Sequence, residues 1–446
     1  MSDPVAFFRE VADAHRRCFW LDGGGAREWS GHRSIIGWLD DDDVSLSWSA
    51  TRREVTLHSA GRAEVVGDDV FAVLEERIAP GEQWFGYLGY ASRTDLPATP
   101  DPLLPDAVWM RPRSVRVFDH PPPGPSSSES PLERGLRHLE GVATPSKCQT
   151  PPPSQGPTAA TTPAATPATP PAPPTAYADA YARVQEHLHA GNSYEVNLTH
   201  RISRTSDLDP VSAYLRLRRL NPAPYSGFLQ HDVAGARAWL LSSSPERYAL
   251  VGADRHLETK PIKGTTPRGA TAEEDEHHRE RLARDPKTRA ENLMIVDLLR
   301  NDLSQVCEVG SVEVPALMQV ESYESVHQLV STVRGRLRDD VSTVAALRAL
   351  FPAGSMTGAP KLRTMQVIEE VESTPRGAYA GAFGWISADG PADLGVVIRS
   401  LTTDGGGTWT LGTGGAITVR SDLAEEWAEA GWKAERLLRV FDAPPA

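Results

Sequence analysis

Cysteine, lysine and long apolar runs are all scarce in this chain of 446 residues. Its three cysteines (Cys18, Cys148, Cys307) are far apart and odd in number. They can build neither a disulfide framework nor a clustered metal site. No stretch approaches the ~18 apolar residues that a bilayer span needs. The first twenty residues lack a charged segment followed by an apolar one, so no secretory leader is expected. An excess of basic residues is missing too: 46 Lys and Arg stand against 59 Asp and Glu, a net charge of −13. Phosphate recognition announces itself as a basic patch or a high pI, so nucleic acid is excluded as a partner. The expected setting is the reducing cytoplasm, with no membrane contact.

The scarcity of lysine also directs attention. Only six of the 46 basic residues are lysines: Lys147, Lys260, Lys263, Lys287, Lys361 and Lys433. Arginine stays protonated, whereas a lysine with a depressed pKa can act as base or nucleophile.

What is present divides the chain into three. Sixteen of the 37 prolines fall between Pro121 and Pro174, beside a serine run and a Thr-Pro-Ala tract. Such a segment buries too little apolar surface to offset its chain entropy, so residues 121–175 read as a linker or insertion. It separates an N-terminal segment, 1–120, from a C-terminal one, 176–446. The N-terminal segment reads mostly as strands: Phe19-Trp20-Leu21, Ser34 to Trp38, and the aromatic, glycine-rich Gln83 to Tyr90. The Gly23-Gly24-Gly25 run reads as a turn. In the C-terminal segment, helices are expected over Ala176–His189, Val344–Phe351, Pro360–Val371 and Asp422–Val440. Glu273–Leu303 has a helical pattern with a break at Pro286. Strands are expected over Tyr194–Thr199, Ala378–Ser387, Leu394–Thr402 and Trp409–Val419. Strands and helices without regular alternation imply an α+β fold.

Several segments hold residues that can do chemistry. In the last helix Glu426, Glu429 and Lys433 stand at i, i+3 and i+7, on one face. Two carboxylates one turn apart can hold a hard cation such as Mg²⁺ with help from a third. They can equally be a solvated face with an ordinary Glu429–Lys433 pair. Glu291 opens an apolar stretch running to Asp302, where an unpaired carboxylate is costly, so it needs a metal or a basic partner. Lys263 stands in Pro261-Ile262-Lys263-Gly264-Thr265, an apolar setting that can depress its pKa. Glu246 follows Ser244-Pro245. The two can be nucleophile and general acid, or simply a salt bridge. Gly358 to Lys361 opens a helix, and helix N-termini attract anions.

Taken together and in order, these segments resemble the chorismate-utilising enzymes. The resemblance covers nearly all of 176–441 and, more weakly, the N-terminal segment. It rests on Tyr194 to Thr199, Asn221 to Tyr225, Ser244 to Arg247, Pro261 to Thr265, Glu291 to Asp302, Phe351 to Lys361 and Ser421 to Lys433. Within the family, Pro-Ile-Lys-Gly-Thr marks the aminodeoxychorismate synthase component I branch. The anthranilate synthase component I branch carries Ala at that lysine and is the alternative. A non-catalytic chorismate-binding subunit is a further one. Isochorismate and salicylate synthases place a water-activating lysine in the strand that here reads Tyr194-Glu195-Val196-Asn197, and none is present.

The resemblance implies two packed antiparallel sheets with helices outside and the site between the halves. It implies that Lys263 attacks C2 of chorismate, that Glu246 protonates the leaving C4 hydroxyl, and that His327 lies near the ring. Arg399, Tyr379 and the backbone of Gly414 and Gly415 would hold the enolpyruvyl carboxylate. Lys433, Thr265 and Thr357 would also bind substrate. Glu291, Glu426 and Glu429 would hold Mg²⁺ against the ring carboxylate. The chain has no Gly-x-Cys-x-Gly glutaminase segment, so a separate glutamine amidotransferase subunit is implied, forming a heterodimer and supplying ammonia. Glu195 replaces the usual Gln of its strand, and Ala416 a usual Gly. The Leu-Leu-Glu-Ser segment of tryptophan-regulated relatives is absent; Phe19 to Asp22 stands in its place.

Overall fold

Strand Arg17–Asp22 shows how one short run serves two cores. Successive side chains point to opposite faces of a sheet. Phe19 therefore enters one buried cluster with Phe85, Tyr87 and Phe383, while Cys18 and Trp20 enter another with Phe8, Phe228 and Leu437. A strand covered on both faces reads as a continuous apolar run, as this one does.

The computed structural model describes residues 3–23, 33–120, 172–323 and 326–442. Residues 121–171 of the expected linker, with Lys147 and Cys148, and the triple-glycine turn apart from Gly23 lie outside the described residues; Thr175 already opens helix Thr175–His189. Among the described residues there are two large antiparallel sheets. The nine-stranded sheet runs in the order Gly358–Ala359, Glu195–Thr205, Thr408–Ile417, Ser400–Thr403, Ala238–Ser244, Tyr225–His231, Arg17–Asp22, Arg33–Leu39, Ser114–Asp119. The twelve-stranded sheet begins Ile262–Pro267, Val326–Arg336, His256–Lys260, Arg247–Val251, Ala392–Val396, Ala382–Ser387, Gln83–Leu88, Ala107–Arg111. Helices Pro4–Ala14, Pro210–Leu220 and Leu423–Asp442 cover the first sheet, and Val70–Arg77, Pro286–Ser304 and Thr343–Leu350 the second. This is the expected α+β sandwich. No helix of the described residues is long and apolar enough to cross a membrane.

The division at residue 120 is not a division of the fold. Residues 1–120 and 173–446 form one compact unit. Arg17–Asp22 pairs with Tyr225–His231 in one sheet, and Gln83–Leu88 pairs with Ala382–Ser387 in the other. The N-terminal segment cannot close either sheet alone.

Between the sheets the rings of Phe19 and Phe85 stack at 4.1 Å. Gly227 permits a second close contact between the sheets: a Cβ there would lie 2.5 Å from the Phe383 ring and 2.9 Å from the Trp20 carbonyl oxygen. Gly227→Ala is therefore expected to destabilise the fold by about 1–3 kcal/mol through overpacking. A lowered urea midpoint with unchanged m-value checks this; an unchanged midpoint would show that the interface yields.

The region Leu394–Thr402, expected as one strand, is two. Ala392–Val396 belongs to the twelve-stranded sheet and Ser400–Thr403 to the nine-stranded one. The chain crosses between sheets at Val397 to Arg399. It makes a second crossing at Pro245-Glu246, between Ala238–Ser244 and Arg247–Val251. The two crossings are adjacent and joined: Val396 N donates to Glu246 O (2.9 Å), and Ser243 N to Arg399 O (3.2 Å). Arg399 takes φ 48°, a left-handed conformation costing a non-glycine residue about 1–3 kcal/mol.

Candidate active site

Where the sheets exchange strands, a cavity of about 580 Å³ opens, within the range of small-molecule sites. Each functional side chain reaches it for a local reason. Glu246 and Arg399 arrive on the two crossings. Lys263 arrives on a bulge: the register of Ile262–Pro267 against Val326–Arg336 shifts between Ile262 and Thr265. An extra residue re-aims a side chain. The bulge requires glycine at 264, where φ is 82° and a Cβ would lie 2.3 Å from Thr288. Glu426, Glu429 and Lys433, on one helix face as their spacing implied, line the cavity from the last helix, and Glu291 lines it from Pro286–Ser304. Asp285 ends one helix and caps this next one, accepting from Thr288 N at 2.7 Å, which is the break expected at Pro286.

Glu246 is buried, and Ser355 Oγ donates to its Oε1 at 2.5 Å. Burial pushes its carboxyl up to about 7 against the pull of Ser355 and Lys263, so it holds a proton near neutrality. The Arg399 guanidinium makes no hydrogen bond or ion pair with any described residue. Burial and the nearby Arg436 lower its guanidinium to about 10. An unpaired guanidinium in a cavity wall can receive a carboxylate. Tyr379 lines the same end, with Gly412 beneath its ring. Thr265, Gly414 and Gly415 also line the cavity.

Lys263 departs from expectation. Burial alone would depress it, but Glu195 and Glu291 outweigh burial and its ammonium form is favoured. Its Nζ lies 2.5 Å from Glu195 Oε1, so its ion-pair partner is Glu195 and not Glu246. The alternation of Glu195–Thr205 explains this. Val196 and Leu198 turn out against Val184, Leu188 and Val367, leaving Glu195 and Asn197 on the inner face.

Two substrate-site expectations are not met. His327 does not line the cavity: it is buried with Nε2 3.0 Å from Asp275 Oδ1 and Nδ1 2.8 Å from Ser322 Oγ, as a structural histidine is. Its neighbour Gln328 faces the cavity instead. Thr357 is fully buried and turned onto Gly354 O at 3.3 Å. Nor does Lys361 offer charge to an anion, since its Nζ is buried against Asp302 Oδ2 (2.6 Å) and Leu350 O (2.7 Å).

The three carboxylates expected to hold Mg²⁺ share the cavity but are not assembled. Among the described residues no group of three acidic or His/Cys side chains stands ready to take a metal. Glu426 is paired with Lys287 at 2.6 Å, and Glu429 with Lys433 at 2.8 Å; Lys433 also donates to Gly414 O at 2.8 Å. Glu291 Oε1 is buried without a hydrogen-bond partner among the described residues, and burial pushes its carboxyl up to about 7. A Cβ on Gly415 would meet Glu426 Oε2 at 3.0 Å and Glu429 Oε1 at 4.0 Å. An orphaned carboxylate oxygen beside a cradle kept open by glycine fits a hard divalent cation.

Lys287 was not singled out for this site, although its place one turn before Glu291 is a signal. Asn197 and Ser355 were missed as well. Arg376 braces their loop, donating to Met356 O, Asn197 O and Glu372 at 2.6–2.8 Å.

A buried acid, a lysine and an arginine thus stand around one cavity. The chain belongs to the chorismate binding enzyme family, whose model matches residues 16–439. It is 52% identical over 258 residues to "Aminodeoxychorismate synthase" of Streptomyces griseus, covering 58% of this chain and 35% of that protein. It thus spans about a third of that relative's length. It is 34% identical over 436 residues to "Anthranilate synthase component 1" of Streptomyces coelicolor, covering 89% of this chain and 82% of the other. Among solved structures, anthranilate synthase component I of Streptococcus pneumoniae superposes with a TM-score of 0.68 at 26% identity, covering 91% of this chain and 92% of that one.

Proposed function

We propose that this chain is the chorismate-aminating component of an aminodeoxychorismate synthase. The observation carrying the reading is Lys263, delivered by its bulge into the cavity that the buried Glu246 also lines. Likeness to proteins of that name supports it. Lys263 Nζ attacks C2 as the double bonds shift and the C4 oxygen departs, taking the Glu246 proton and leaving as water. Ammonia then attacks C4, the double bonds return, and the lysine is expelled. Arg399 and Tyr379 hold the enolpyruvyl carboxylate. Glu291, Glu426 and Glu429 would hold Mg²⁺, with Lys287 and Lys433 giving way. When bound, the metal supplies positive charge against the ring carboxylate, which a chain of net −13 needs. A glutamine amidotransferase partner supplies the ammonia.

Likeness over nearly the whole chain to an anthranilate synthase component favours a second reading, amination at C2 with loss of pyruvate. Lys263 counts against it. The test is product identity after incubation with chorismate, Mg²⁺ and ammonium. The expected product is 4-amino-4-deoxychorismate, lost when EDTA removes the metal. Anthranilate as main product overturns the proposal.

A further inference from the structure

We propose that Glu195 is the proton acceptor and positioning partner of Lys263, fixing Nζ toward the cavity and taking its proton as it attacks. The inference rests on the C4-amination reading, because it concerns the same nucleophile. Glu195 is fully buried and does not line the cavity; it stands behind Lys263 with Oε1 2.5 Å from Nζ. Its other oxygen, Oε2, is buried with no hydrogen-bond partner among the described residues. Its placement therefore serves the lysine.

An ammonium has no lone pair, so attack must begin with loss of a proton. Four carboxylates face Lys263: Glu195, Glu246 from the sheet crossing, Glu291 from helix Pro286–Ser304 and Glu429 from the last helix. Glu246 must keep its proton for the leaving oxygen. Glu429 is engaged with Lys433. Glu291 makes no hydrogen bond to the lysine, and its free oxygen suits a cation. Glu195 alone is within hydrogen-bond reach. Two carboxyls then divide the work, Glu195 taking a proton and Glu246 giving one.

The protons balance over the cycle. Lys263 gives one to Glu195 and its lone pair forms the N–C2 bond, leaving a secondary ammonium. The Glu246 proton leaves with the C4 oxygen as water. Ammonia forms the C4–N bond and the N–C2 pair returns to Lys263. Glu195 gives its proton back to the lysine, and the new C4 ammonium reprotonates Glu246.

Glu195→Gln keeps the shape and the hydrogen bond but cannot take a proton. In the free protein, Lys263 is labelled with trinitrobenzenesulfonate across pH and followed by peptide mass spectrometry. Loss of the facing charge should lower the lysine's apparent pKa by at least one unit, raising labelling at pH 8 about tenfold. Turnover should move the other way, kcat falling about 10²–10³-fold with KM within about threefold. Glu195→Asp should recover part of kcat. Unchanged labelling in Glu195→Gln, or unchanged kcat, overturns the proposal. Labelling needs no substrate, so it stands apart from product identity, on which the amination reading is judged.

Discussion

Lys263→Ala is expected to lower C4 amination by about 10⁴–10⁶-fold, because it removes the amine that forms the adduct. Its further consequences follow from Glu195. Removing the lysine leaves that carboxylate buried without its cation. Breaking a buried pair from one side costs about 3–5 kcal/mol, part of it relieved when the carboxylate takes up a proton. Lost activity could thus be confused with lost fold. Lys263→Ala combined with Glu195→Gln removes both charges, and should recover most of the stability and none of the turnover. Arg399 and Tyr379 are untouched, so calorimetry should still find chorismate bound within about tenfold of wild type. Full amination by either variant would exclude the covalent route.

The contrast between Lys263 and Glu195 also marks what the sequence can convey. Local periodicity was legible. The spacing of Glu426, Glu429 and Lys433 put them on one face, and Pro286 marked a break, because both depend on residues within a turn or two. Pairings across the chain were not. Glu195 and Lys263 lie 68 positions apart on strands of different sheets, and nothing near either predicts the contact. The crossing at Val397 to Arg399 was hidden for a related reason. Each residue there is at home in a strand, and only the second sheet turns the chain aside. His327 and Gln328 are separated by parity alone. A strand's alternation says that one faces the cavity, but the bulge and the pairing partner decide which. Apolar cores are written in nearest-neighbour patterns, whereas a site assembled where two sheets exchange strands is written in their register.

Glu246→Gln carries the second large effect. It should reduce kcat by about 10²–10⁴-fold, the usual worth of a positioned general acid. Its pH behaviour separates this role from a merely structural one. Wild-type kcat should fall above about pH 7, roughly tenfold per unit, as the buried carboxyl loses its proton. The residual activity of Glu246→Gln should lack that limb, since an amide does not titrate. Wild-type stability should fall with pH as well. Burial raises the folded-state pKa from 4.5 to about 7, so the folded protein binds the proton more tightly than the unfolded chain. That contribution is fully present below about pH 4.5 and is lost as pH rises through about 7. At pH 8 the wild type keeps an ionised carboxylate in a dry site with Ser355 as its hydrogen-bond donor. The glutamine has no such burden. Urea unfolding should find Glu246→Gln no more stable than wild type at pH 5 and more stable at pH 8, by on the order of 3 kcal/mol. A variant equally inactive, but destabilised at both pH values, would make Glu246 a structural carboxylate. The proton for the C4 oxygen would then have to come from elsewhere.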